Sequence, residues 1–313
     1  MFKNPPLRFT PEQYFAFAVM RIVFGVIWVI NTILEANAPY INGFLASIVK
    51  RIKGQPDFIR TYLHGVIHVI NLLGPQHVAV GTVVLNALLA LSLLTGIGLR
   101  PMAWLGVVYT LMLWSTVGGF GGPYVSGATD PGTAIVYALI FFAFLSVPAG
   151  QRLVVGNQPG PVVETRRIEF VRVLFGLLWA FDAFWKWQPA FLHNSLSYLS
   201  ASQAGQPAWI VKYIGFFIQI FNFVGPLYFG IFAAVIETIL AISLLAKLGQ
   251  KWLLPIGFLY SFGLWTTAEG WGGPYALGST GNRGDMLGTA NMYVVIYLIL
   301  MVAYLYRHRR TSL

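Results

Sequence analysis

Residues 106–124 read GVVYTLMLWSTVGGFGGPY, and residues 257–275 read GFLYSFGLWTTAEGWGGPY. The offset is 151, and the same offset carries RIVFGVIW at 21–28 onto RVLFGLLW at 172–179. It also carries Asn71, Gly74 and Pro75 onto Asn222, Gly225 and Pro226, and Ser92-Leu93-Leu94 onto Ser243-Leu244-Leu245. The register runs without a gap from Arg21 to Thr129. Chance does not hold a register that long, so the chain is an internal duplication. The copies then differ in length: TDPGTAIVY continues the first and TGNRGDMLGTANMY the second, until Gly132-Thr133 and Tyr137 resume against Gly288-Thr289 and Tyr293.

Each copy holds four apolar runs near the ~20 residues that cross a hydrocarbon core. They lie at about 14–36, 77–97, 101–118 and 132–148, and again at about 168–188, 227–246, 252–269 and 288–306. The composition agrees with a membrane solvent. Hydrophobic residues make up 57% and charged residues 10% of the chain, against about a quarter charged in a soluble domain. The aromatic content of 16% fits interfacial belts. The first apolar run lacks a cleavage pattern and reads as a retained span rather than a signal peptide. The segments 40–75 and 190–226 are more polar and read as one or two interfacial helices. A crossing at 58–73 or 208–224 would make five spans per copy and invert the second.

The net charge of +10 is spread among loops, so it reads as a topology signal and not as a nucleic-acid surface. With four spans per copy, one side collects Lys3, Arg8, Arg100, Arg152, Arg166, Arg167, Lys247, Lys251, Arg307, Arg309 and Arg310. The other holds Lys50, Arg51, Lys53, Arg60, Lys212 and Arg283. The richer side is expected to be cytoplasmic, with both termini on it, in the plasma membrane. The expected fold is therefore an all-α integral membrane protein. It has two parallel four-helix repeats, 1–150 and 168–313, joined by a cytoplasmic linker at 151–167.

No cysteine is present, which excludes thiol catalysis and cysteine-held clusters. His64 and His68 have ligand spacing but no carboxylate or thiol nearby, so no metal is expected. Ionisable residues inside spans are the informative ones. Asn31, Glu35, Asn86 and Gly118 of the first copy become Asp182, Lys186, Glu237 and Glu269 in the second. That gain of charge points to the second copy as the working site and the first as scaffold. Asp182 and Lys186 are placed to pair at i, i+4. Lys186 is a candidate for holding an anion or a quinone oxygen, and Glu237 or Glu269 for moving protons. Arg21 and Arg172, present in both copies, read as anchors.

The glycine loops at 118–124 and 270–275 are expected to expose N–H groups as an anion nest beside the next helix N-terminus. Gly272, Gly273, Trp265, Tyr275 and Arg283 are the candidate substrate contacts, with Trp114, Tyr124, Trp271 and Asp285 around them. A purely interfacial role for the aromatic residues is the alternative.

Together, R-x-x-F-G-x-x-W at 21–28 and 172–179, GGFGGPY, DPGTAIVY, IETILAISLL and GWGGPY resemble the DoxX superfamily. Within it they resemble the DoxD-type small subunit of thiosulfate:quinone oxidoreductase, here in tandem. The resemblance covers most of both halves. It implies a membrane protein of sulfur metabolism that passes electrons from thiosulfate to quinone. It also implies a partner redox subunit of the DoxA type, although the second half repeats the first and is not DoxA-like. A small-solute carrier and an anchoring subunit of a respiratory complex are the other readings.

Overall fold

The structure is a computed structural model that describes residues 9–122, 131–150, 152–155, 165–273 and 287–305. The described residues form twelve α-helices and no strand. They are α1 (Pro11–Glu35), α2 (Ala38–Lys50), α3 (Asp57–Leu73), α4 (Pro75–Thr95), α5 (Leu99–Ser115) and α6 (Thr133–Ser146). Then come α7 (Thr165–Lys186), α8 (Pro189–Ala201), α9 (Ala208–Val224), α10 (Pro226–Ala246), α11 (Gln250–Thr266) and α12 (Thr289–Tyr304).

Local chemistry sets the boundaries. Thr10 caps α1 through a reciprocal bond with Gln13, and Pro11 follows at the first helical position. Gly74 and Gly225, both at positive φ, break the chain just before Pro75 and Pro226. The tight turns after α4 and α10 are closed by serine. Ser92 donates to the Ile97 carbonyl at 2.8 Å and Ser243 to the Leu248 carbonyl at 2.6 Å.

α1, α4 and α10 are long and apolar enough to cross a membrane. α6 and α12 are shorter, at 14 and 16 residues, or roughly 21–24 Å. They are apolar on nearly every side and sit in the centre of the molecule, as an all-round apolar helix must. α7 carries Arg172, Asp182 and Lys186, which keeps its hydropathy below that of α1. The polar segments expected at 40–75 and 190–226 are each two helices, α2–α3 and α8–α9, packed outside α4 and α10.

α1 packs on α4, α5 on α6, α7 on α10, and α11 on α12. The halves meet through α6 against α7, α1 against α12, and α6 against α12. One apolar core runs through both, from Phe17, Phe24 and Trp28 to Phe175, Trp179 and Tyr297. On the α6–α12 contact the hydroxyls of Thr133 and Thr289 meet directly. α5 approaches α6 at Gly106, where a Cβ would lie 2.6 Å from Phe141. α11 approaches α12 likewise at Gly257, where a Cβ would lie 2.2 Å from Tyr297.

Candidate functional site

α7 and α10 lie side by side, and their facing positions carry the buried charges. Lys186, at the last turn of α7, sits 3.7 Å from Glu237 Oε1 on α10. The carboxylate is 1% exposed and the lysine side chain 12%. A lone charge that deep would be costly, and the pair offsets most of that cost. Tyr260 of α11 donates its hydroxyl to the same Glu237 Oε1 at 2.9 Å. Glu237 Oε2 is buried with no hydrogen-bond partner. One turn back on α7, Asp182 Oδ2 accepts a 2.7 Å bond from the Tyr293 hydroxyl of α12. Four helices thus converge on one polar cluster, walled by Trp179, whose ring lies tilted against Tyr293 with centroids 4.9 Å apart.

Beside the cluster is a cavity of roughly 300 Å³, lined by Lys186, Phe191, Tyr198, Glu269 and Tyr293 among others. The ammonium of Lys186 also stands 4.7 Å over the Phe191 ring. Ser195 and Ala233 complete the space. Their counterparts in the first half are the larger Phe44, which is buried, and Thr82. α8 leaves helical backbone values at Asn194, and the neighbouring Ser195 hydroxyl turns away to the Pro226 carbonyl at 2.8 Å. Smaller side chains thus line this part of the second half, Ser195 where the first half has Phe44 and Ala233 where it has Thr82.

Asp182, Lys186, Glu237 and Glu269 thus lie in one region. Glu269 is held, however. Its Oε1 accepts from the backbone N–H of Thr289 at 3.0 Å and of Ala290 at 2.9 Å. It occupies the positive end of α12, where an external anion was expected. The glycine loop also departs from expectation. The N–H groups of Gly270, Gly272 and Gly273 bond to the carbonyls of Thr267, Glu269 and Gly270. Three N–H groups that satisfy a 3₁₀ turn do not form a nest. The turn at Gly119–Gly121 repeats this pattern.

The loop's role is to hold helices together. Gln206 donates to the Gly270 carbonyl at 3.0 Å, and Gln55 to the Gly119 carbonyl at 3.1 Å. Trp265 does not line the cavity beside Lys186. Its indole donates to the Leu287 carbonyl at 2.7 Å, as Trp114 does to Pro131 at 2.8 Å. Trp271 sits at φ 58, a rare conformation for a bulky residue, and packs on Trp209, Tyr213 and Trp265. Tyr275, Arg283, Tyr124 and Asp285 lie outside the described residues.

Arg21 and Arg172 are buried and hold backbone. Arg21 donates to the Leu153 carbonyl at 2.6 Å and Arg172 to the Leu245 carbonyl at 3.2 Å. Among the described residues no cluster of three or more His, Asp or Glu is placed to hold a metal.

Sequence reasoning missed Tyr260 and Tyr293. Both have tyrosine counterparts, Tyr109 and Tyr137, so comparing the copies does not single them out. The chain matches no family model, no curated protein and no solved structure.

Proposed function

We propose that the chain is the membrane subunit of a quinone-linked oxidoreductase in the plasma membrane, with quinone bound in the second half beside Lys186. On this reading it spans the bilayer as two parallel four-helix repeats with both termini cytoplasmic. A small sulfur anion such as thiosulfate supplies the electrons from the extracytoplasmic side.

One observation carries the quinone reading. A single sheltered ammonium faces an apolar, aromatic cavity of roughly 300 Å³, at the small end of ligand pockets. A flat ring carrying carbonyl oxygens fits such walls, and Lys186 donates to one oxygen. A quinone takes up two electrons and two protons on reduction. Glu237, with its open Oε2, and the Tyr293–Asp182 pair are the groups placed to hold and hand on protons. The motifs similar to the DoxX superfamily support the thiosulfate part. With no cysteine to hold a cluster, electrons come from a partner redox subunit or directly from the anion.

The test uses purified full-length protein. Titration with a short-chain quinone should quench tryptophan fluorescence saturably, and Lys186→Met should weaken binding at least about tenfold, the loss of one charge-assisted hydrogen bond. The reading fails if the protein neither binds quinone nor, with its co-purifying partners, reduces it with thiosulfate. Lys186-dependent solute flux into liposomes would make it a carrier instead.

A further inference from the structure

α3 and α9 are equivalent by the 151-residue offset, yet they present different outward faces. α9, over Ala208–Val224, carries a single charged residue, Lys212. α3, over Asp57–Leu73, carries Asp57, Arg60 and two histidines. Along α9, Trp209, Phe216, Ile220 and Phe223 recur at helical spacing and form one outward stripe. Trp209 is 60% exposed, Phe216 58% and Phe223 94%. A contiguous apolar face of that kind marks a surface that something covers. α3 keeps Phe58 and Leu72 at the matching ends of its stripe. Between them it has Gly65 where α9 has Phe216, and the exposed His64 and His68 flank that glycine.

The contrast continues around the corner into the next helix. Leu227 and Tyr228 open α10 and are exposed. Their counterparts on α4 are Gln76 and His77, also exposed, with Gln76 bonded to Asn42 at 3.0 Å. The α9 stripe thus runs on into the outward side of α10, where Tyr228 and Phe232 are bare. α10 is long and apolar enough to cross a membrane, so the acyl chains around it meet α9 at this corner. Trp209 and Lys212 stand at the other end of the stripe, a pairing that suits the headgroup level. On α3, Asp57, Arg60 and the two imidazoles would be costly to bring into hydrocarbon.

We propose that α9 lies in the acyl–headgroup boundary with its Trp209–Phe223 face among lipid chains, while the equivalent face of α3 stays in water. The occupant of the α9 face is phospholipid, and Lys212 meets its phosphate. The molecule is then one-sided. Phe221 of α9 stacks on the cavity wall Phe229, with ring centroids 3.8 Å apart, so lipid comes within one helix of the cavity in the second half. The lipid contact is independent of what the cavity binds.

The chain has no native cysteine, so single cysteines can carry a spin label in the full-length protein. Phe216→Cys and Gly65→Cys are labelled and reconstituted in vesicles of phosphatidylcholine and phosphatidylglycerol. Each is compared by collision with oxygen, which concentrates among acyl chains, and with a water-soluble nickel chelate. The oxygen-to-nickel ratio should be at least about tenfold higher at 216 than at 65, or about 1.4 kcal/mol of differential partition. Equal ratios overturn the proposal. So does a label at 216 shielded from both reagents, which would mean that a partner protein or a second copy covers the face. Both sites suit the change: Phe216 is exposed, and a Cβ at Gly65 meets nothing within 4 Å. Should either variant fail to fold, Tyr228→Cys against His77→Cys repeats the comparison at the corner, and the same ratio is required.

Discussion

Lys186 and Glu237 depend on each other for their place in the interior. Removing the carboxylate alone takes the 3.7 Å ion-pair partner away from an ammonium whose side chain is 12% exposed. Glu237→Ala should therefore cost about 3–5 kcal/mol. Replacing both partners by apolar residues of similar size, Lys186→Met with Glu237→Leu, should recover most of that loss. Unfolding curves of the two variants in one detergent decide it. A double variant as unstable as the single one would mean that the pair is not what keeps the charge inside. Asp182, Lys186 and Glu237 stood out in the sequence because the copies disagree there, whereas the buried Arg21 and Arg172 agree. The tyrosines that complete the cluster did not stand out, because both copies agree on them. Glu35 was undervalued for a related reason: set against Lys186 it reads as a charge exchanged, and only the fold shows that Asn86 is the side chain beside it.

At the scale of helices, close approach and local bulk govern the arrangement. Gly257→Ala should push α11 off α12, since the new methyl would collide with the buried Tyr297 ring. The expected loss is about 1–3 kcal/mol, read from thermal unfolding. Gly263→Ala, on the same helix with open space around it, is the control and should change little. Ser195→Phe installs the side chain that the first half has at Phe44. It should fill the cavity and abolish quinone quenching, and the lost bond to the Pro226 carbonyl should lower Tm by a few degrees. Retained quenching would place the ligand elsewhere. The bounds of the apolar helices were readable to within about three residues, because prolines and glycines bracket long apolar runs. Whether 40–75 holds one helix or two was not, since an interfacial helix and a loop of mixed polarity look alike until α4 supplies a surface for them. The glycine loop misled for a further reason. Glycine frees a backbone to expose its N–H groups, and it equally frees it to close a tight turn on itself.

At the scale of the molecule, the two halves share one core and meet at matching threonines. A chain without native cysteine is convenient here. Thr133→Cys with Thr289→Cys should crosslink readily on oxidation, and protease nicking in 156–164 should then leave the halves joined until reductant is added. Separation without reductant would contradict the α6–α12 contact. Single cysteines at Lys53 and at its counterpart Ala204 report sidedness. An impermeant maleimide applied to intact cells should label both, and labelling of one alone would refute the parallel arrangement.

The threonine contact has an evolutionary corollary. A seam in which a residue meets its own counterpart is self-complementary, so one ancestral unit bearing it could have paired with an identical copy. Such a homodimer would be bound to two identical pockets, because any change in one appears in both. Fusing the genes breaks that constraint while keeping the seam. Afterwards one half can keep Glu35 with Phe44 while the other adopts Lys186 with Ser195, so that a change on one side of the seam no longer imposes itself on the other.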